Sequence, residues 1–196
     1  MNFIQESGFL KLKMSVIVPL PDNLSIVHDR GTFIIRRRWF SPAVFFLVFF
    51  ALFWNGFMVV WMTIALSQGQ WAMAAFGSIH ATVGLGLIYF CVASFINKTD
   101  VSVNPKHLSV RHYPLPWIGN KQIRVHEITQ LYCKEHISHN KNGVRVTYRV
   151  HAVMNNGRDQ KLLSGLTSDA QARFIEHEIE SVLGLENLAV AGELAK

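Results

Sequence analysis

Two kinds of hydrophobic patterning follow one another along the chain. From Trp39 to Asn97 there is no Asp, Glu, Lys or Arg, and the apolar residues surround each helical turn instead of marking one face. Ser41–Leu66 and Ala72–Ile96 each reach the ~20 residues needed to cross a hydrocarbon core. Pro42 stands where a helix start tolerates proline, and Ser41 before it suits an N-cap. The connection Ser67–Trp71 is short and uncharged, which makes the two helices antiparallel neighbours. The pattern predicts a two-helix transmembrane hairpin.

Outside this gap the period changes to two. In 144–154, Val144, Val146, Tyr148, Val150, Ala152 and Met154 point one way and Arg145, Thr147, Arg149 and His151 the other, as in a half-buried antiparallel strand. Asn142-Gly143 and Asn156-Gly157 supply the turn residues on either side. Further strands are expected at 99–103, 107–112, 121–125, 128–137 and 160–164. A hairpin precedes the apolar region, with strands 24–28 and 32–38 joined by Asp29-Arg30-Gly31. It is expected to join or cover the same sheet, because a lone hairpin is marginal in water. A helix over 168–183 closes the domain. Ser168 and Gln171 fit a capping box, Ile175, Ile179 and Val182 an apolar stripe, and Gly184 a C-terminal stop. Residues 1–23 and 186–196 read as tails, the latter loose.

A meander of short strands followed by one amphipathic helix has the order of a pleckstrin-homology-like antiparallel β barrel. The expected fold is therefore membrane α plus soluble β, with the β domain over 99–185. The segments RRRWFSP, FFALFWNGF, PLPWIGNK, LYCKE and LLSGL resemble those of a family of small uncharacterised bacterial membrane proteins, over about Leu24 to Leu185. That resemblance implies two transmembrane helices carrying a pleckstrin-homology-like domain. The layout is also similar to the two-span photosystem I assembly factors of cyanobacteria and chloroplasts. This second likeness is architectural, without a shared motif, and implies assembly or scaffolding work with no particular client.

Charge adds orientation. Arg30, Arg36, Arg37 and Arg38 precede the first span, Lys98, Lys106 and Arg111 follow the second, and the turn between carries none. By the positive-inside rule both termini are cytoplasmic, and the resemblance to bacterial membrane proteins implies the cytoplasmic (inner) membrane. Trp39 and Trp71 suit interfacial anchors at opposite faces. The net charge of +6 answers anionic headgroups more simply than nucleic acid. Lys121 and Arg124 extend the basic rim, for which a solvated, topology-setting role is the plain alternative. The apolar stretch 14–20 is short and lacks a cleavage site, so it does not read as a secretory signal. Cys91 and Cys133 form no disulfide framework, consistent with a reducing compartment for the soluble part.

Candidate chemistry is sparse. Asn55 and His80 lie deep in the spans within roughly 6 Å in depth, at ~1.5 Å of rise per residue. They read as a polar clasp between helices or, alternatively, as a redox or proton-transfer site using His80. Gly77, Ala81, Ala74, Ser78, Gly84 and Gly86 form a low-relief surface, expected to meet in part the phenylalanines of the first helix. Among the nine histidines, Cys133, His136 and His139 are suggestively spaced, but Cys133 and His136 face opposite sides of a strand, so no metal site is expected. His107, His112, His126 and His151 read as surface strand residues. The loop of Pro114, Pro116 and Trp117 combines stiff backbone with an aromatic. It reads either as a rigid connection with Trp117 and Ile118 packed on the barrel or as an interfacial or docking loop. The sequons at Asn23 and Asn97 fall on the inferred cytoplasmic side.

No phosphate loop, HExxH helix or GxSxG elbow occurs, so neither catalysis nor a cofactor is expected. The expected function is a non-enzymatic, membrane-anchored binding or assembly module. Its partners would be the lipid bilayer and either a membrane protein or a second copy, with no nucleic acid. A pore built from oligomers is disfavoured by the nearly unbroken apolar spans.

Overall fold

The computed structural model describes residues 20–29, 31–140, 143–186, 190 and 192–194. The expectations for residues 1–19, Arg30 and Asn142 lie outside these. Five strands form one antiparallel meander: β1 (Leu24–Asp29), β2 (Thr32–Arg38), β3 (Lys98–Val103), β4 (His107–Tyr113) and β5 (Lys121–Arg124). β6 (Ile128–Asn140), β7 (Gly143–Met154) and β8 (Asp159–Leu166) form a second antiparallel sheet. The first hairpin thus pairs with β3, from Phe33 opposite Val103 to Arg38 opposite Lys98.

Two helices, α1 (Ala43–Ser67) and α2 (Trp71–Ile96), are inserted between the neighbouring strands β2 and β3. Both are long and apolar enough to cross a membrane. Their contact is a seven-residue repeat. α1 buries Val44, Ala51, Met58 and Ala65, and α2 buries Gly77, Gly84 and Cys91, together with Ala74, Ala93 and Ser94. A repeat of seven keeps one seam facing the partner over many turns. The glycines are covered by tryptophans. A Cβ on Gly77 would come within 3.0 Å of Trp61, and one on Gly84 within 3.0 Å of Trp54. The part of the small-residue surface expected to meet phenylalanines meets other side chains at Gly77 and Gly84, whereas the expectation that some phenylalanines are left for lipid or a partner accords with their exposure. Phe45, Phe46, Phe49, Phe53 and Phe57 point outward, Ser78 is exposed, and Gly86 has open space around it. The side chains that meet the seam are Trp61 with Met62 at Gly77 and Trp54 with Asn55 at Gly84.

The expected barrel is not formed as a closed sheet. Consecutive strands β5 and β6 belong to different sheets, and the 3-10 turn Val125–Glu127 separates them. α3 (Asp169–Leu183) packs against β6, β7, β8 and β3. One core results, with Ile35, Val103 and Leu108 from the first sheet, Leu131, Val150 and Leu166 from the second, and Ile175 and Ile179 from α3. Ser168 Oγ accepts from the Ala170 N–H at 3.1 Å and Gly184 ends α3 at φ 65°, as a polar N-cap and a left-handed C-terminal glycine require. The reciprocal half of the capping box is absent: Gln171 donates instead to the Asp22 carbonyl at 2.9 Å. Val182, expected in the apolar stripe, is exposed, and Ala172 and Phe174 are buried in addition. In the described part of the C-terminal tail, Leu194 packs on the core and its N–H donates to the Cys133 carbonyl at 2.8 Å.

Candidate functional site

The residues that join helices to sheet form a hydrogen-bonded polar cluster. α2 passes into β3 through the single residue Asn97, which is 2% exposed. Its N–H closes α2 on the Ala93 carbonyl at 2.8 Å, and its carbonyl accepts from the Trp39 N–H at 3.3 Å. Its side chain then does for Leu115 what a neighbouring strand would do. Nδ2 donates to the Leu115 carbonyl at 3.2 Å and Oδ1 accepts from the Leu115 N–H at 2.9 Å. A buried backbone pair left without such partners would be costly.

Trp39 continues the cluster on the β2 side. Its indole donates to Thr99 Oγ1 at 2.7 Å, and Thr99 Oγ1 lies 2.8 Å from His112 Nδ1. With the hydroxyl already accepting from Trp39, its own proton is used when Thr99 donates to Nδ1 and the imidazole is neutral with its proton on Nε2. Burial, and then the Arg37 charge, hold His112 below the ordinary imidazole value, in accord with that state. Gly119, at φ 116°, lies so close that a Cβ there would be 3.1 Å from His112 Nε2. His112 is thus half-buried and bonded, not the free surface residue expected of its strand position.

The loop carrying Pro114, Pro116 and Trp117 leaves β4 through a cis Tyr113–Pro114 bond and turns toward α2. Tyr89 Oη donates to the Pro116 carbonyl at 2.6 Å. Trp117 is stacked on Tyr89 at 6.1 Å and lies 5.9 Å from Phe90 and 5.0 Å, edge-on, from Trp39. The expectation that Trp117 and Ile118 pack on the β domain is therefore corrected. Trp117 packs against α2 and Trp39, and Ile118 is 93% exposed.

The basic residues separate into unlike groups. Arg36 grips Asp100 through two bonds of 2.9 Å, and Tyr113 Oη donates to the same carboxylate at 2.9 Å. Its guanidinium is raised further above its ordinary value, first by the Asp100 hydrogen bond. Arg37 Nη2 donates to the Gly165 carbonyl at 2.8 Å, which ties the first sheet to the second. Arg38 and Lys98 are opposed at the base of the helices, next to Tyr113. Arg111 is exposed opposite Asp100. Lys106 does not belong with them. It follows β3 at the far turn, five strand residues and ~17 Å from Lys98 at ~3.3 Å per residue. Arg124, beside that turn, is paired with Glu127 at 2.7 Å, and Lys121 donates to the Lys161 carbonyl.

Within the hairpin, Asn55 and His80 are not bonded to each other. Asn55 Nδ2 donates to the Ala51 carbonyl at 2.7 Å and across the seam to the Gly84 carbonyl at 3.2 Å. Trp54 adds a second cross-seam bond, to the His80 carbonyl at 3.2 Å. His80 turns back on its own helix, with Nδ1 3.1 Å from the Phe76 carbonyl. Since a carbonyl only accepts, that contact places a proton on Nδ1. The ring borders a crevice of about 180 Å³ lined with Trp54, Phe57, Trp61 and Phe76.

Two remaining expectations concern the second sheet. Cys133 is buried, and burial pushes its thiol well above the ordinary value. Among the described residues no group of three or more His, Cys, Asp or Glu side chains could hold a metal ion. His151, expected at the surface, is 8% exposed. Its Nδ1 lies 2.9 and 3.0 Å from the Asp159 carboxylate oxygens, to which Tyr132 Oη also donates at 2.9 Å. Burial, reinforced by that bond, pushes the Tyr132 phenol up to about 12. Thr99 and Tyr89 are junction residues that sequence reasoning did not single out, and Asn97 and His112 were read only as a sequon and a surface histidine. The available signal was an amide and a hydroxyl immediately after an apolar run. In comparisons with known proteins, no family model matches the chain and no curated protein sequence matches it.

Proposed function

We propose that the chain is an integral membrane protein whose hairpin spans the bilayer and holds a pleckstrin-homology-like β domain at its cytoplasmic face as a non-enzymatic binding or assembly module. The observation that carries this reading is the outward face of the hairpin. Phe46, Phe49, Leu52 and Phe53 are each more than two-thirds exposed, and in water every such side chain would forgo about 2 kcal/mol of burial. Lipid removes that cost. Arg38 and Lys98 at one end, and no cation in the turn at the other, favour a cytoplasmic domain and cytoplasmic termini in an inner membrane. Two antiparallel sheets sharing a core with a C-terminal helix support the pleckstrin-homology-like assignment. Insertion of the hairpin between bonded strands suits a platform held close to the bilayer, because both helices leave the sheet from the adjacent ends of β2 and β3. Partners of this module are the bilayer and a membrane protein or a second copy. In-membrane crosslinking followed by mass spectrometry tests the reading. It predicts recurrent crosslinks from the β domain to one neighbour, and a pattern indistinguishable from random neighbours would overturn the binding role.

One observation favours a second reading, redox or proton transfer at His80. Among the described residues no donor to Nε2 is seen, and the ring lies beside an aromatic crevice whose wall includes the Trp61 indole N–H, occluded and without a partner among the described residues. A Soret band in the visible spectrum of the purified protein, lost in His80→Ala, would establish a haem-ligating version of that role.

A further inference from the structure

We infer that the loop Pro114–Gly119 is a third membrane-contacting element, which inserts Ile118 into the boundary between lipid headgroups and acyl chains beside α2. The inference rests on the hairpin spanning the bilayer, and its occupant is lipid.

Three independent features converge. The first is position. Trp117 stacks on Tyr89 and approaches Phe90, and Tyr89 precedes the end of α2 at Ile96 by seven residues, or ~10 Å along the axis. α2 has 26 residues and is therefore ~39 Å long, against a hydrocarbon core of ~30 Å, so a centred helix leaves only ~5 Å of its sheet end outside that core. The loop therefore reaches back past the hydrocarbon boundary instead of hanging above it. Tyr89, Trp117 and Trp39 together make an aromatic belt of the kind that settles at this level.

The second feature is backbone satisfaction. Irregular backbone is excluded from lipid chiefly by its unpaired N–H and C=O groups. Here Pro114 and Pro116 have no N–H to satisfy. The Leu115 N–H and carbonyl are both bonded to Asn97, and the Pro116 carbonyl accepts from Tyr89. The half of the loop nearest α2 has been prepared for a medium poor in hydrogen-bonding partners.

The third is the side chain itself. Ile118 is the most exposed of the large hydrophobic residues among those described, at 93%, and the six residues 114–119 carry no charge. A solvent-facing connection of the same stiffness has no need of an isoleucine at its tip. With the hairpin fixing the domain along one line, a lipid-seated Ile118 fixes its roll about that line and hence which face of the β domain meets a partner.

The test is site-directed fluorescence of the full chain in phosphatidylcholine–phosphatidylglycerol vesicles. An environment-sensitive label is placed in turn at Ile118→Cys, at Leu52→Cys in the span and at Lys106→Cys in the far turn, with the unsubstituted chain as the labelling blank. Lipids bearing a nitroxide near the headgroup are expected to quench the label at 118 several-fold more than that at 106, with a blue-shifted emission at 118. If 52 is quenched and 118 behaves like 106, the loop stays in water and the inference fails while the anchor stands. If 52 is not quenched by nitroxides at any acyl depth, the membrane anchor itself is refuted, and the loop inference with it. Ile118 is almost wholly exposed, so its replacement removes no packing that could unfold the domain.

Discussion

At the residue scale, Asn97 carries more structure than its position in the sequence suggests. In sequence it belongs to a sequon at the end of an apolar run. In the fold it closes α2, supports Trp39 and replaces a strand for Leu115. Asn97→Ala should leave both Leu115 groups without their partner and cost about 2 kcal/mol. The expected readout is a lower melting temperature in detergent, with protease cleavage appearing first near residue 115. His112 gives the junction a pH dependence. Its folded value lies below the ordinary 6.5, so the folded state takes up a proton less readily than the unfolded chain. Its contribution is therefore complete above that value and is lost as pH falls below it toward the folded value. Thermal melts over that acid range should show a decline that His112→Gln flattens. Sequence could place His112 on a strand and suggest that Asn55 bonds across the helices. It could not supply the partners, because Thr99 and Gly84 become neighbours only through strand register and helix rotation.

At the element scale, the hairpin shows why composition can predict a helix and still hide its face. Both spans are apolar on every side, so hydrophobicity offers no contrast from which to read rotation. The seam is instead written in size, with Trp54 and Trp61 seven residues apart meeting Gly84 and Gly77 at the same spacing. Gly84→Leu should drive a side chain into Asn55 Oδ1, which a Cβ alone would approach to 2.6 Å, and destabilise the helix pair by about 1–3 kcal/mol. Gly86→Leu, which meets open space, should leave it unchanged. Thermal melts of the two variants in the same detergent make the comparison. The four-residue spacing of Gly77 and Ala81 drew attention to the right glycine, but the repeat that packs is seven.

At the scale of the whole molecule, the sequence order strand, helix, helix, strand acquires its meaning from β2 pairing with β3. The anchor becomes an insertion in a sheet, and the charges sort by distance from its base. Arg38 and Lys98 stand at the base, whereas Lys106 lies at the opposite end and Arg36 is neutralised by Asp100. Replacing Arg38 and Lys98 together by Gln should weaken attachment to anionic headgroups by roughly 1 kcal/mol per cation and shift some chains to the inverted orientation. Lys106→Gln should do neither. Protease protection in sealed inverted vesicles reads the difference.

By itself the sequence determined the kinds of element and their order, because a long charge-free run and a two-residue alternation each admit one local solution. It also determined which end of the hairpin carries cations. Tertiary structure alone decided that the sheets remain two instead of closing into a barrel, that tryptophan faces glycine, and that the Pro114–Gly119 loop turns toward α2. Each of those outcomes depends on pairing between residues distant along the chain, and pairing is set by register, volume and hydrogen-bond demand once the elements have met.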